Sequence, residues 1–300
     1  MKITLAGSRH FGVETLNMMR GHGIEVIRVV VADGEDRLAA AGRAAGIEVV
    51  VQAKPKLIVA SEIAPGTDLI VTAHSHALVS EGALKASRHG GIGYHPSLLP
   101  RHRGAAPVAS TILAGDAVAG VSLMVMTAAL DAGPLVAQWP VPLTGRETTP
   151  ELEMQLAQLA ADVVPPELER WAAGEVSTLP QDDREATLIR PFRRADGWID
   201  WRQTAVAVDR RVRALQPWPG AWTTLDGRRL HIRAAHPVAG VDGPIIGALL
   251  PGDWPLVACG HGALALDLVQ PEGRPVMAAD AWRRGLPREH VLLGGGAAPA

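Results

Sequence analysis

Short apolar runs alternate with helical periodicity along the first part of the chain. KITLA at residues 2–6, EVIRVVV at 25–31 and DLIVTA at 68–73 are compact and rich in β-branched residues, which predicts buried strands. The segment between the first two runs has apolar residues at helical spacing. This strand-helix-strand order predicts a mostly parallel sheet with helices on its faces. We therefore predict an α/β fold for residues 1–180.

The pattern changes in the second part of the chain. Residues 174–194 are polar and irregular, which is typical of a linker between domains, and we place this linker at residues 181–203. A helical pattern over 204–215 is followed by short strands that glycine and proline turns separate. We predict that residues 204–300 form a smaller second domain built on a β-barrel.

One stretch, GIGYHPSLLPRHRGAAP at Gly91–Pro107, ends a predicted strand with a titratable side chain. Pro96 has a fixed φ and no backbone donor, so the strand stops at His95. Ligands of open parallel sheets bind at the carboxyl ends of the strands. A lone histidine there is more often a loop residue bonded to local backbone. However, LDAG at Leu130–Gly133 supplies a partner, Asp131, which by itself would be read as a turn former.

These two motifs carry a family resemblance. HPSLLPRHRGAAP followed by GVSLMVMTAALDAGPLVAQ resembles the signature of folate-dependent formyltransferases, which include glycinamide ribonucleotide and methionyl-tRNA formyltransferases. ASRHGGIGYHPSLLPRHRGA and SRHFG are most similar to the hydrolase domain of 10-formyltetrahydrofolate dehydrogenase. IDWRQTAVAVDRRVRALQPWPGAWT at 199–223 is similar to the start of the family's small C-terminal domain. The resemblance implies a Rossmann-like formyltransferase domain followed by an OB-like barrel.

The resemblance also implies three catalytic positions and 10-formyltetrahydrofolate as co-substrate. His95 is implied as a cationic donor to the oxyanion of the tetrahedral intermediate, and Asp131 as the group that holds this histidine charged. The family's third catalytic residue is an asparagine two positions before the histidine, where this chain has Gly93. The hydrolase domain lacks the asparagine too, so Gly93 is compatible with activity. A water, a substrate group or Tyr94 could replace it, although Tyr94 is predicted to point to the opposite strand face.

Further residues are indicated as ligand contacts. Backbone groups of six residues are implied to hold the pterin: Ala77, Leu78, Val79, Thr127, Ala128 and Ala129. Six others are candidates for substrate contacts: Gly7, Ser8, Phe11, Ser97, Arg101 and Arg103. For several of these a structural role competes with binding. Gly7 suits a tight turn, Ser97 suits a bond within its own loop, and loop arginines are often solvated charges.

Composition narrows the function classes. The chain is 47% hydrophobic, and its formal net charge of −2 gives no general attraction for polyphosphate. The single cysteine, Cys259, excludes an internal disulfide, and no Cys/His cluster has the spacing of a structural metal site. No uncharged run reaches the roughly 18 residues of a membrane span. We expect a cytoplasmic protein without a metal. The first turn, AGSRHFG, lacks the three-glycine fingerprint of a nicotinamide enzyme.

The sequence favours a small-molecule amine as the formyl acceptor. Alternatives are water, then methionyl-tRNA and, outside enzymes, a folate-binding protein without turnover, against which His95 and Asp131 argue. The tRNA enzymes carry a long basic insertion after the second strand, where this chain has only ADGEDRLAAAGRAAG. From Asp196 onward, 11 Arg stand against 10 Asp plus Glu, a net charge of +1. A tRNA partner is therefore not expected, and the oligomeric state stays open.

Overall fold

The computed structural model describes residues 1–54, 56–73, 75, 77–127, 129–287 and 291–294. These fold into two compact units, each made of several chain segments. The N-terminal unit comprises Met1–Pro107, Val118–Pro142 and Glu153–Arg190, and the C-terminal unit comprises Val108–Ala117, Leu143–Leu152 and Pro191–Ala300.

The strands are, in chain order, β1 (Lys2–Gly7), β2 (Glu25–Val31), β3 (Glu48–Val51), β4 (Leu57–Ile58), β5 (Leu69–Ala73), β6 (Leu78–Val79), β7 (Gly91–His95), β8 (Arg103–Gly104), β9 (Val118–Val125), β10 (Leu135–Pro142), β11 (Leu188–Ile189), β12 (Ala221–Leu225), β13 (Arg228–Val238), β14 (Leu256–Ala258), β15 (Ala263–Pro271) and β16 (Met277–Ala278). The α-helices are α1 (Arg9–Gly21), α2 (Arg37–Ala44), α3 (Glu81–Lys85), α4 (Pro107–Ala114), α5 (Thr149–Ala172), α6 (Ala205–Ala214) and α7 (Ala279–Arg284).

A seven-stranded sheet forms the centre of the N-terminal unit, in the order β10-β9-β7-β5-β1-β2-β3. Strands β3, β2, β1, β5 and β7 are parallel, whereas β9 pairs antiparallel with both β7 and β10. Every residue of β5 and β7 is buried, as expected for inner strands covered on both faces. The predicted mostly parallel α/β sheet is confirmed, and it places the end of β7 beside the end of β5.

Close approach of β1 and β5 depends on Gly7. A Cβ added there would lie 2.4 Å from the carbonyl oxygen of Ala73, which no side chain tolerates. Gly7 therefore acts in strand packing and not in the tight turn that was the structural alternative, while its substrate contact stays a prediction.

The C-terminal unit contains an antiparallel sheet in the order β12-β13-β15-β14, with β16 paired to β15. Helix α6 contributes Val208 and Val212 to a core that also holds Trp201, Ile232 and Leu264. This smaller antiparallel domain is consistent with the predicted OB-like barrel.

Part of the predicted linker is ordered by strand pairing. Leu188–Ile189 pairs in parallel with Arg103–Gly104 inside the N-terminal unit. The domain limits 1–180, 181–203 and 204–300 stay a prediction. Within the described ranges no helix is both long and apolar enough to cross a membrane.

Candidate active site

His95 lies where the sequence places it, at the last position of β7, directly before Pro96. Its side chain is buried, and Nε2 lies 2.8 Å from the carbonyl oxygen of His102. A carbonyl oxygen only accepts hydrogen bonds, so Nε2 carries a proton whether the ring is neutral or charged. Proton gain and loss therefore take place at Nδ1.

Asp131 faces this exchangeable nitrogen. Its Oδ2 lies 3.8 Å from His95 Nδ1 and accepts a hydrogen bond of 2.8 Å from the backbone N–H of Gly104. A separation of 3.8 Å is too long for a hydrogen bond but gives a strong charge interaction in a buried site. The fold thus brings together the two titratable residues that the two motifs singled out.

The charge state of His95 differs from the expectation. Burial lowers the pKa of His95, and although the Asp131 carboxylate and the bond to His102 both raise it, they do not offset the desolvation. The ring is therefore neutral in the resting protein at neutral pH, instead of being held charged by Asp131. A neutral Nδ1 can accept a proton, and the nearby carboxylate then stabilises the imidazolium that forms.

The turn that carries Asp131 requires its glycine. A Cβ added at Gly133 would lie 1.7 Å from the carbonyl oxygen of Val125. Gln181 Nε2 donates to the carbonyl oxygens of Asp131 and Gly133, at 2.9 and 2.7 Å. LDAG is therefore fixed by close backbone contact as well as by hydrogen bonds.

Gly104 holds the opposite side of the aspartate. It has φ of +108°, and a Cβ there would lie 2.3 Å from the carbonyl oxygen of Ile189. Only glycine can pair with β11 and still present its N–H to Asp131. Gly104 was not predicted as a site residue, although a glycine inside a proline-rich motif was the available signal.

Two candidate substrate contacts in the loop are occupied by structural bonds. Ser97 is fully buried, and its Oγ donates to the carbonyl oxygen of Arg101 at 2.8 Å. The Arg103 guanidinium donates to Gln181 Oε1 and to Asp183 Oδ1, at 2.7 and 2.8 Å. Both residues therefore shape the loop in this structure, while the exposed Arg101 stays a predicted contact.

The first turn does not bring Phe11 to His95. The centres of the Phe11 and Tyr94 rings lie 5.0 Å apart, and the Tyr94 hydroxyl lies 2.6 Å from Thr15 Oγ1. Neighbouring residues of a strand point to opposite faces, so this cluster lies behind β7 relative to His95. Burial raises the pKa of Tyr94, so this hydroxyl stays protonated. Ser8 lies at the start of α1, and its substrate contact stays a prediction.

The predicted pterin contacts are partly used by backbone pairing. The Leu78 N–H donates to the backbone carbonyl oxygen of Lys56, and the Ala77 N–H donates to Ser75 Oγ. In a parallel pair alternate residues bond to the partner, so the Val79 amide and carbonyl point away from β4. Val79 is buried, whereas the Leu78 side chain is partly exposed. The pterin contacts of these residues stay a prediction.

A hydrogen bond links the two described residues of the second predicted pterin segment. Thr127 Oγ1 accepts from the Ala129 N–H at 3.3 Å, whereas Ala128 lies outside the described residues. Met126, directly before Thr127, packs against the apolar cluster that contains Ala77 and Val79. Both predicted pterin segments therefore border one apolar cluster.

Gly93 lies on the same face of β7 as His95. A Cβ added at Gly93 would lie 3.0 Å from Thr72 Oγ1 and 3.3 Å from Met124 Cε. Thr72 was not predicted as a site residue, and its only signal in the sequence is a polar residue near the end of the apolar strand LIVTA. His102 is also part of the site, because it is buried and its carbonyl oxygen binds Nε2 of His95.

The described residues contain no group of three His, Cys, Asp or Glu side chains placed to hold a metal ion.

Two family profiles match the chain. The profile described as formyl transferase matches residues 2–168, and the one described as formyl transferase, C-terminal domain, matches 192–287. A methionyl-tRNA formyltransferase from a Roseiflexus species is 39% identical over 304 residues, which cover 95% of this chain and 93% of that protein. A protein of the same name from Chloroflexus aurantiacus is 33% identical over 98% of this chain and 100% of its own length.

Solved structures share the fold at low identity. An N-formyltransferase from Helicobacter canadensis, in complex with folinic acid and dTDP-3-aminofucose, superposes with a TM-score of 0.69 at 13% identity over 90% of this chain and 99% of its own. WlaRD, a sugar 3N-formyl transferase, gives a TM-score of 0.69 at 14% identity over 92% and 99% of the two chains.

These relatives correct one expectation. The prediction that tRNA is not a partner is wrong, because near full-length relatives at 39% and 33% identity are named methionyl-tRNA formyltransferase. The prediction used the net charge of a whole segment, which averages over the positions of its arginines. Phosphate binding depends instead on local clusters of positive charge.

Proposed function

This chain belongs to the formyl transferase family, and we propose that it transfers the formyl group of 10-formyltetrahydrofolate to the amino group of methionyl-tRNA. The observation that supports this acceptor is the likeness to methionyl-tRNA formyltransferases along both domains. The low-identity likeness to sugar formyltransferases shows a shared fold and does not bear on the acceptor.

His95 and Asp131 provide the proton chemistry of this proposal. The folate supplies an activated formyl group, which passes from its nitrogen to the acceptor nitrogen while one proton passes in the opposite direction. His95 Nδ1 accepts that proton from the attacking amine, because the lowered pKa keeps the ring neutral beforehand. Asp131, at 3.8 Å, stabilises the resulting imidazolium until the proton moves to the leaving folate nitrogen.

A cluster of arginines in the C-terminal unit supports a polyanionic acceptor. Burial first, and then the positive charges of Arg233, Arg229 and Arg194, lower the pKa of His231, so these groups lie close together. The Arg229 guanidinium lies 4.5 Å from the centre of the Trp222 ring. Clustered arginines bind phosphates, so this arginine cluster is a candidate contact for the tRNA backbone.

The test compares three acceptors in one assay. The protein is incubated with 10-formyltetrahydrofolate and either methionyl-tRNA, free methionine or no acceptor, and products are identified by mass. We expect N-formylmethionyl-tRNA with a kcat/KM far above that for free methionine, and little formate without an acceptor. Equal rates with free methionine would favour a small-molecule acceptor. Formate release that added tRNA leaves unchanged would favour hydrolysis.

A further inference from the structure

The resting His95 has no N–H to offer to a formyl oxygen. Its Nε2–H is used by the His102 carbonyl at 2.8 Å, and the lowered pKa leaves Nδ1 without a proton. When an amine attacks the formyl carbon, the carbonyl electrons move to the oxygen, and donors near that oxygen speed the reaction. The site therefore needs a donor other than the neutral imidazole.

Thr72 is placed to be that donor. It lies one residue before the end of β5 and pairs in register with Gly93 of β7, so its side chain and His95 project from the same face of the sheet. It is only 8% exposed, and its hydroxyl makes no hydrogen bond with any residue that the structure describes. Two other buried threonines, Thr4 and Thr15, do hydrogen-bond. The Thr72 hydroxyl is therefore not used by the described residues and can donate a hydrogen bond to a ligand.

Gly93 leaves the Thr72 hydroxyl uncovered. A Cβ at position 93 would lie only 3.0 Å from Thr72 Oγ1, so any side chain there would press against the hydroxyl. The same point lies 3.3 Å from Met124 Cε and 3.9 Å from Met126 Cγ. The space at position 93 is therefore bordered by the Thr72 hydroxyl and by apolar methionine side chains, and a hydrogen bond formed in apolar surroundings is stronger than one formed in water.

We propose that Thr72 is a catalytic residue whose hydroxyl donates to the formyl oxygen as that oxygen becomes an oxyanion. The proposal rests on the proposed formyl transfer. The acceptor nitrogen forms a bond to the formyl carbon and gives its proton to His95 Nδ1, while Thr72 Oγ–H bonds to the oxyanion without losing its proton. The carbonyl reforms as the bond to the folate nitrogen breaks, and that nitrogen takes the proton from His95. The products are the N-formyl acceptor and tetrahydrofolate.

The first test removes the hydroxyl and keeps the shape. Thr72→Val should lower kcat by about a hundredfold or more, with the KM for the folate changed only a few fold, because the hydroxyl acts in the transition state. Thr72→Ser, which keeps the donor, should retain most of the activity. Thr72→Val should not lower the melting temperature, since the substitution removes no hydrogen bond between the residues that the structure describes.

A matched control makes the same substitution elsewhere in the sheet. Thr4 Oγ1 lies 2.7 Å from Thr67 Oγ1 and also accepts from the Ala64 N–H. Thr4→Val should therefore lower the melting temperature and leave kcat nearly unchanged, the reverse of Thr72→Val. If Thr72→Val kept wild-type kcat, or lost it only together with stability, the assignment would be overturned.

A donor exchange gives a second, independent test. Thr72→Ala removes the hydroxyl and creates room beside position 93, where Gly93→Asn can then place an amide N–H. The double variant should be at least about tenfold more active than Thr72→Ala alone, since one donor replaces another. A double variant that folds and is no faster than Thr72→Ala would count against a donor role.

The two proposals fail in different ways. Wild-type protein that formylates another amine in place of methionyl-tRNA would refute the tRNA acceptor, and the Thr72 variants would then be compared with that amine. Wild-type activity on methionyl-tRNA with an unaffected Thr72→Val variant would refute the Thr72 inference alone. Wild-type protein without turnover towards any acceptor, water included, would overturn both.

Discussion

At the scale of single residues, the chemistry of the site depends on one imidazole whose two nitrogens have different tasks. Nε2 is bound by the His102 carbonyl, which fixes the ring, and Nδ1 faces Asp131. Burial lowers the pKa of His95 and the Asp131 carboxylate raises it, so the resting charge depends on the balance of these two effects. The pH dependence of the reaction reports that balance.

We predict that kcat/KM falls on the acid side with an apparent pKa below the ordinary histidine value of about 6.5. The sign follows because the proton acceptor must be neutral, and its lowered pKa delays protonation as pH falls. Asp131→Asn removes the carboxylate that raises the pKa of His95. The acid limb of the residual activity should therefore shift to a still lower pH. The measurement is kcat/KM across about pH 5 to 8.

Asp267→Asn is the matched control for this shift. Asp267 Oδ2 lies 2.9 Å from Nδ1 of His236, an exposed histidine of the C-terminal unit, so the substitution removes a similar pair away from His95. The acid limb should be unchanged. An acid limb above the ordinary histidine value in the wild type would show that His95 is charged at rest and contradict the proton-acceptor role.

At the scale of elements, the loop after β7 is held by one serine of β9. Ser122 Oγ donates to the Ser97 carbonyl at 2.6 Å and accepts from the N–H of Leu99 at 3.0 Å and from Gln138 Nε2 at 2.8 Å. Strands β9 and β10 thereby hold the loop that presents the His102 carbonyl to His95. Precision at the site depends on this connection between strand and loop.

Ser122→Ala should lower the free energy of unfolding by about 1–3 kcal/mol, because it leaves buried backbone groups of the loop without a partner. It should also lower kcat, since the loosened loop no longer holds Nε2 of His95. Denaturant unfolding and steady-state kinetics measure the two effects.

Ser87→Ala is a suitable comparison, because Ser87 is also nearly buried and its single O–H is shared between the carbonyl oxygens of Leu84 and Gly90, which lie 2.9 and 2.7 Å from Oγ. Ser87→Ala should lower the free energy of unfolding without lowering kcat. Equal kinetic effects of the two substitutions would contradict a specific link between Ser122 and the catalytic loop.

At the scale of the whole molecule, the two units carry different kinds of residues. The N-terminal unit holds His95, Asp131 and Thr72, whereas the arginine cluster lies in the C-terminal unit. If the cluster binds the tRNA backbone, its removal should affect acceptor affinity and leave the chemistry of the formyl group intact.

We predict that Arg229→Gln combined with Arg233→Gln raises the KM for methionyl-tRNA and reduces its salt dependence, by about 0.7–0.9 in log–log slope for each phosphate that the variant no longer neutralises. The rate at saturating tRNA should be nearly unchanged. Arg284→Gln is the control, since Arg284 is an exposed arginine of the same unit paired with Asp280. A double variant with an unaltered KM and salt slope would exclude the cluster as a tRNA contact.

The sequence by itself determined the order of strands and helices and the position of the site along the chain. The parallel sheet follows from alternating apolar runs, and the end of β7 at His95 follows from the backbone limits of Pro96. These are local effects, in which a residue and its neighbours decide the conformation. The pairing of His95 with Asp131 was also accessible, because two motifs in a fixed order carried a family resemblance.

Only the tertiary structure decided the charge of His95, the surroundings of Gly93 and the grouping of the arginines. Burial of His95 comes from segments far apart in the chain, so its neutral state is invisible in the motif. Thr72 meets Gly93 through strand register, and Phe11 is turned away from His95 through the alternation of side chains across β7. The net charge of the segment does not reveal the arginine cluster around His231, because folding brings these arginines together. Electrostatic interaction depends on distance in space and not on distance along the chain.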